Sequence, residues 1–191
     1  MLSIGIVLKS DSEIVFLFDK YKGKICCRTQ KRVPVCGALV QYDLQKKRAR
    51  FFVDRFELLD VPFELAKRDI LFLHHLFEFC FYSLVYGACS KKTFSLLIQL
   101  YVDEHLFFNN FYKKIFLFKC FISLGIAHGN RPFSPKLFYW LCSESIDSIV
   151  SANLHLEIEH TVDAWLYKCV GAHPYYKDFK TIHFLKKIRM P

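Results

Sequence analysis

Hydrophobic and polar positions follow two different periods along this chain. From Ile4 to about Leu59 the apolar residues come in short runs rich in β-branched and aromatic side chains, which is strand chemistry. Ile4-Gly5-Ile6-Val7-Leu8 and Ile14-Val15-Phe16-Leu17-Phe18 flank a polar turn, Lys9-Ser10-Asp11-Ser12. A second turn runs from Asp19 to Lys24, with Gly23 free to take a positive φ, and leads into Ile25-Cys26-Cys27-Arg28. Pro34 separates that strand from Ala38 to Asp43, Gln45-Lys46-Lys47 reads as a polar turn, and Arg50 to Leu58 forms a fifth extended piece. Five short strands in so little chain suit a small closed barrel of the OB type.

After Asp60-Val61-Pro62 the period becomes helical. Phe63 to Tyr86 is apolar on nearly every face, as a central buried helix should be, and Gly87 ends it. Lys92 to Phe107 and Asn110 to Leu124 follow, with Asn110 as N-cap and Gly125 as C-terminal cap, and Ser134-Pro135 opens another helix. Ile158, Val162, Trp165, Leu166, Cys169 and Val170 fall on one helical stripe closed by Gly171. A last helix, Asp178 to Arg189, is expected to bury Phe179, Ile182, Leu185 and Ile188 and to expose Lys180, Lys186, Lys187 and Arg189. The expected fold class is α+β: an antiparallel OB-fold barrel over 1–60, then an all-α helical domain over 61–191.

With 53% hydrophobic residues and 21 Phe, the chain has ample apolar surface for a packed core, which excludes a disordered protein. Ile70 to Val85 and Leu106 to Ala127 fail as membrane spans, the first interrupted by His74, His75 and Glu78, the second by Asn109, Asn110, Lys113, Lys114 and Lys119. The Met1-Leu2-Ser3-Ile4 start lacks a basic region followed by an apolar run, so the expected compartment is the reducing cytoplasm. None of the eight cysteines forms a C-x-x-C pair, which removes the usual signature of structural zinc; no metal and no cofactor are expected.

Charge changes the picture more. Between Tyr21 and Arg50 stand nine of the 27 basic residues, Lys22, Lys24, Arg28, Lys31, Arg32, Lys46, Lys47, Arg48 and Arg50, against one acid, Asp43. Like charges at this density repel one another, whereas a phosphate backbone neutralises them and releases its counterions, so the expected partner is a polyanion. Tyr21, Tyr42, Phe51 and Phe52 interleave with the basic set, as stacking platforms for bases would. Phe51 and Phe52 are adjacent, so one of them should point into the barrel. A solvated, solubilising face is the plainer account of the same charges.

Catalytic patterns are weak. Glu157-x-x-His160 is half of a carboxylate-bridged di-iron motif whose second half is missing. His74 and His75 are consecutive and diverge on a helix, and Asp103-Glu104-His105 has no nucleophile beside a base. There is no P-loop, G-x-G-x-x-G or H-E-x-x-H, and no enzyme is expected.

Several segments resemble the RecO family of recombination mediators. Ile6-Val7-Leu8, then Glu13-Ile14-Val15-Phe16-Leu17-Phe18 and Gly23-Lys24, is similar to the family's opening. Phe56-Glu57-Leu58-Leu59 resembles the passage from barrel to helices, Phe118 to Gly125 a helix ending in Leu-Gly, and His183-Phe184-Leu185 part of a terminal helix. The chain is shorter than typical members, and Ile126-Ala127-His128-Gly129-Asn130 stands where many place zinc-binding cysteines. The resemblance implies a metal-free, non-catalytic DNA-repair protein that binds single- and double-stranded DNA and promotes annealing. It also implies work with RecR to load RecA onto strands coated by single-strand-binding protein (SSB). The acidic SSB C-terminal tail would need a hydrophobic depression beside cations, for which Lys113, Lys114 and Lys119 with Phe111, Tyr112 and Phe116 are the candidates. The charge map does not separate this reading from an OB-fold nucleic-acid or adaptor protein of another family, RNA-directed ones included, because both backbones are anionic.

Overall fold

The computed structural model describes residues 2–47, 49–126, 133–152 and 155–181, with the backbone alone for 155–157. Strands β1 (Leu2–Asp11), β2 (Ile14–Asp19), β3 (Gly23–Arg28), β4 (Leu39–Lys47) and β5 (Arg50–Asp60) close into a barrel in the order β1-β2-β3-β5-β4. Every neighbouring pair is antiparallel except β3 and β5, which run parallel and meet through Cys27–Phe51 and Arg28–Phe52. This is the OB-fold barrel, and with the helices that follow it makes an α+β protein.

Both faces of the early strands are covered, which explains their near-continuous apolar runs. Val7, Val15, Leu17, Ile25, Val40 and Val53 fill the barrel. Ile6, Leu8 and Phe18 turn the other way, into the core of the helical half. Two expected turns are shorter than their polarity suggests. Lys9, Ser10 and Asp11 belong to β1, and Gln45, Lys46 and Lys47 pair with Phe52, Phe51 and Arg50 as the end of β4. Polar side chains on a solvent-facing edge do not stop a ladder whose backbone bonds are made.

Helix α1 (Phe63–Ser83) is bent at Asp69, whose φ of −149° is not helical; its carboxylate accepts from Phe72 N at 3.0 Å and so restarts the helix as a cap. The helix ends at Ser83 rather than Tyr86, because Tyr86 bridges to Lys24 of β3 and Gly87 N donates to the Lys24 carbonyl at 3.1 Å. Helix α2 (Lys91–Val102) also stops early: Glu104–Phe108 form a separate 3-10 turn, and Glu104 turns back to accept from Leu65 N at the start of α1. In α3 (Asn110–Ser123) the cap is Asn109, not Asn110, accepting from Phe111 N at 2.8 Å, and Gly125 takes a φ of +76° just past the end. Ser134 caps α4 (Pro135–Ser143) as expected, and a short α5 (Ile146–Ser151) follows it. Helix α6 (His155–Gly171) buries Ile158, Val162, Trp165, Leu166 and Cys169. The expected last helix, Asp178 to Arg189, is described only as far as Thr181: Asp178 ends a 3-10 turn (Tyr176–Asp178), Phe179 is buried as expected, and helix starts at Lys180. Residues 182–189, with Lys186, Lys187 and Arg189, lie outside the described residues, as does 127–130.

The helical core is aromatic. Phe79 stacks on Phe121 at 3.8 Å, and Trp165 tilts against Phe118 at 4.9 Å. Among the described residues no helix is long and apolar enough to cross a membrane.

Candidate functional site

The antiparallel pairing of β2 with β3 places Ile14 opposite Arg28, so the β1–β2 turn and the end of β3 share one mouth of the barrel. The parallel step from β3 to β5 brings the β4–β5 turn there as well, since Arg28 stands opposite Phe52. Between these three elements lies a depression of about 350 Å³, lined by Glu13, Arg28, Thr29, Gln30, Lys31, Lys47, Phe52, Val53 and Asp54. Lys47 Nζ stands 5.6 Å from the centre of the Phe52 ring. Phe51 packs on the barrel core instead, so the adjacent pair divides as strand geometry requires. Arg28, Lys31, Arg32, Lys46, Lys47 and Arg50 are all exposed. Two acids, Glu13 and Asp54, share the rim, and Asp54 accepts from the Gln45 amide. The mouth therefore offers several cations around a half-exposed ring.

Other members of the basic set are used up inside the fold. Lys24 is 6% exposed and donates from Nζ to the Phe81 carbonyl at 2.6 Å, capping the C-terminal end of α1. Its ammonium also lies over the rings of Tyr86 and Phe81, at 4.3 and 5.0 Å, and burial lowers its pKa. Lys22 donates to Ser3 Oγ at 2.6 Å and lies 3.5 Å from Asp19. Tyr42 is a core residue, 1% exposed, with its hydroxyl bonded to Asp19, and presents no face to a base. Tyr21 is exposed but sits at the opposite mouth, on the β2–β3 turn. Arg48 lies outside the described residues.

The helical set does not form an open depression. Phe111, Tyr112 and Phe116 are buried in the core. Lys113 pairs with Asp69, and Lys114 donates to Glu159 and Asp163 of α6 at 2.6 Å each. Lys119 is buried and donates to the carbonyls of Cys142 and Glu144 at the end of α4, with its pKa lowered by burial. The physical reason is common to all three: a lysine between packed helices is held by the charges and carbonyls those helices bring.

Ser83 Oγ and His173 Nε2 stand 3.2 Å apart, a hydroxyl–imidazole contact with the look of a nucleophile and base. His173 Nδ1, however, accepts from Tyr175 N at 3.2 Å, so in the neutral ring Nε2 carries the hydrogen and donates to Ser83 rather than withdrawing its proton. His75 Nδ1 bonds to Thr181 Oγ1 at 3.0 Å while His74 is exposed, as consecutive helical positions require. Among the described residues no three His, Cys, Asp or Glu side chains gather as metal ligands. Sequence reasoning missed Glu13, Thr29, Gln30 and Asp54, which are brought to the mouth only by the closure of the barrel. No family model matches the chain, and no curated protein matches it.

Proposed function

We propose that the chain is a non-catalytic DNA-binding protein of the recombination-mediator type, which takes single strands at the barrel mouth formed by Arg28, Lys31, Lys47 and Phe52. The observation that carries the reading is position: the depression lies between the β1–β2 and β4–β5 turns, where OB barrels take oligonucleotides. Cations around a ring suit a flexible strand, whose phosphates are neutralised while one base stacks. Binding of duplex DNA, annealing, RecA loading with RecR and docking of the SSB tail rest on the sequence resemblance. RNA offers the same backbone charge and is the competing ligand.

Replacing Lys46, Lys47 and Arg50 by Ala should weaken binding to single-stranded DNA of any sequence, because phosphate contacts carry no base information. The slope of log affinity against log salt should fall by ~0.7 per lost contact, about two in all. Ala at exposed Lys136 and Lys168 on the helices should leave both unchanged. Unchanged affinity and slope in the triple variant would refute the site, and consistently tighter binding of RNA would move the assignment to the competing ligand.

A further inference from the structure

We propose that a second face of the protein, built from Lys20 and Tyr21 of the β2–β3 turn and Lys91 of α2, also seats single-stranded nucleic acid, with Tyr21 as a stacking platform. This rests on the reading of the chain as a nucleic-acid binder and adds a contact at the mouth of the barrel opposite the depression.

Tyr21 is 65% exposed, and the ammonium groups of Lys20 and Lys91 each stand 5.5 Å from its ring centre. The two lysines come from segments far apart in the chain, yet the fold holds those segments together. Cys89 Sγ donates to the Lys20 carbonyl at 3.1 Å, and Gly87 N to the Lys24 carbonyl at 3.1 Å. Gly23, at φ +68°, lies so close to Ala88 that an added Cβ would meet its carbonyl oxygen at 2.1 Å. Local acid is spent. Asp19 is 1% exposed and accepts from the backbone of Tyr21 and Lys22 and from Tyr42, while the first turn of α2 contains no acidic residue. Lys91 is exposed.

The result is an open aromatic ring with cations from two directions, while the carboxylate of the turn, Asp19, is buried and taken up by Lys22, Tyr42 and the turn's own backbone. A base stacked on that ring would place its phosphates within reach of the lysines, which is how sequence-tolerant single-strand sites are made. Duplex DNA keeps its bases stacked on one another and offers no face to Tyr21. An acidic peptide would find charge here but no use for the ring. Six residues of β3 separate this seat from the depression, on the order of 17 Å.

The test uses the full chain, a fluorescent oligothymidylate for affinity, and an iodouracil oligonucleotide for photocrosslinking mapped by mass spectrometry. Tyr21→Ala should weaken binding about tenfold, and Tyr21→Phe, which keeps the stacking face, should bind like wild type. Lys20→Ala with Lys91→Ala should flatten the salt slope by ~1.4. The crosslink should fall on Tyr21 and persist in the variant lacking Lys46, Lys47 and Arg50. Wild-type affinity in Tyr21→Ala with no adduct on the turn would overturn the second seat while leaving the first intact. Loss of binding in Tyr21→Ala, with normal binding in the depression variant, would support the second seat and refute the first. Competition by polyglutamate as strong as by DNA, with Tyr21→Ala indifferent, would reduce the face to a general polyanion surface and overturn the proposal. A wild-type protein that binds no oligonucleotide would overturn both.

Discussion

Tyr42 donates its hydroxyl hydrogen to Asp19 Oδ2 at 2.6 Å, joining β4 to the end of β2 inside the barrel. Asp19 Oδ1 meanwhile accepts from Tyr21 N at 2.7 Å and Lys22 N at 2.8 Å, so one buried carboxylate fixes the turn that presents Tyr21. Burial and the neighbouring carboxylate push the phenol pKa far up, which keeps it a donor at any working pH. Tyr42→Phe should lower stability by about 1–3 kcal/mol, because it leaves an acceptor short of a partner where little water reaches. Urea melts compared with Tyr21→Phe, a change at an exposed ring, would check this; equal midpoints for the two variants would contradict it.

Lys24 is expected to give stability an unusual alkaline dependence. Burial lowers its pKa in the folded chain, so between that value and the ordinary lysine value the unfolded chain holds the proton better. Its contribution is therefore greatest above the ordinary lysine value, falls as pH drops through this window, and is level below it. The neutral amine still donates to Phe81, so the cap on α1 survives deprotonation. Lys24→Met should cost about 1–2 kcal/mol through the lost cap, and the gap between wild type and variant should widen toward alkaline pH. A gap independent of pH would mean that the amine is not buried in solution.

Thiol reactivity should follow burial. Burial pushes Cys27 and Cys80 up to about 12 and Cys36 up to about 11, the last also donating to the Leu8 carbonyl at 3.0 Å. Cys26, Cys36 and Cys89 are exposed residues, but the Cys36 thiol is tied to the Leu8 carbonyl. A maleimide pulse at mildly alkaline pH, read by mass spectrometry, should mark Cys89 and Cys26 first and reach Cys27, Cys80 and Cys120 only after denaturant is added. Early labelling of Cys80 would contradict the packing of α1 against the barrel.

The barrel was legible in the sequence because Val15 and Leu17 alternate with Phe16 and Phe18, and because Gly23 stands where a turn needs a positive φ, found at +68°. The end of α1 was not. Val85 and Tyr86 are as apolar as the helix before them, and only the pairing of Tyr86 with Lys24 stops it. Arg28, Lys31 and Lys47 of the charge map line the depression, yet the map also enrolled Lys24, and the tail-pocket reading enrolled Lys119. In a sequence, a lysine that closes a helix looks the same as one that meets a phosphate; the carbonyls that decide between them arrive with the tertiary fold. Lys91 escaped notice for the converse reason, since its partner ring, Tyr21, stands far away in the chain.

The barrel is closed by its thinnest join, the two residue pairs Cys27–Phe51 and Arg28–Phe52. The first three strands form a meander of local contacts that folds without waiting for distant chain, whereas this join requires β5 to arrive first, with the loop-closure entropy that long-range pairing costs. Arg28 and Phe52 also line the depression. The depression therefore exists only once β5 is in place, and a chain interrupted before β5 has most of the charges but no mouth in which to hold them.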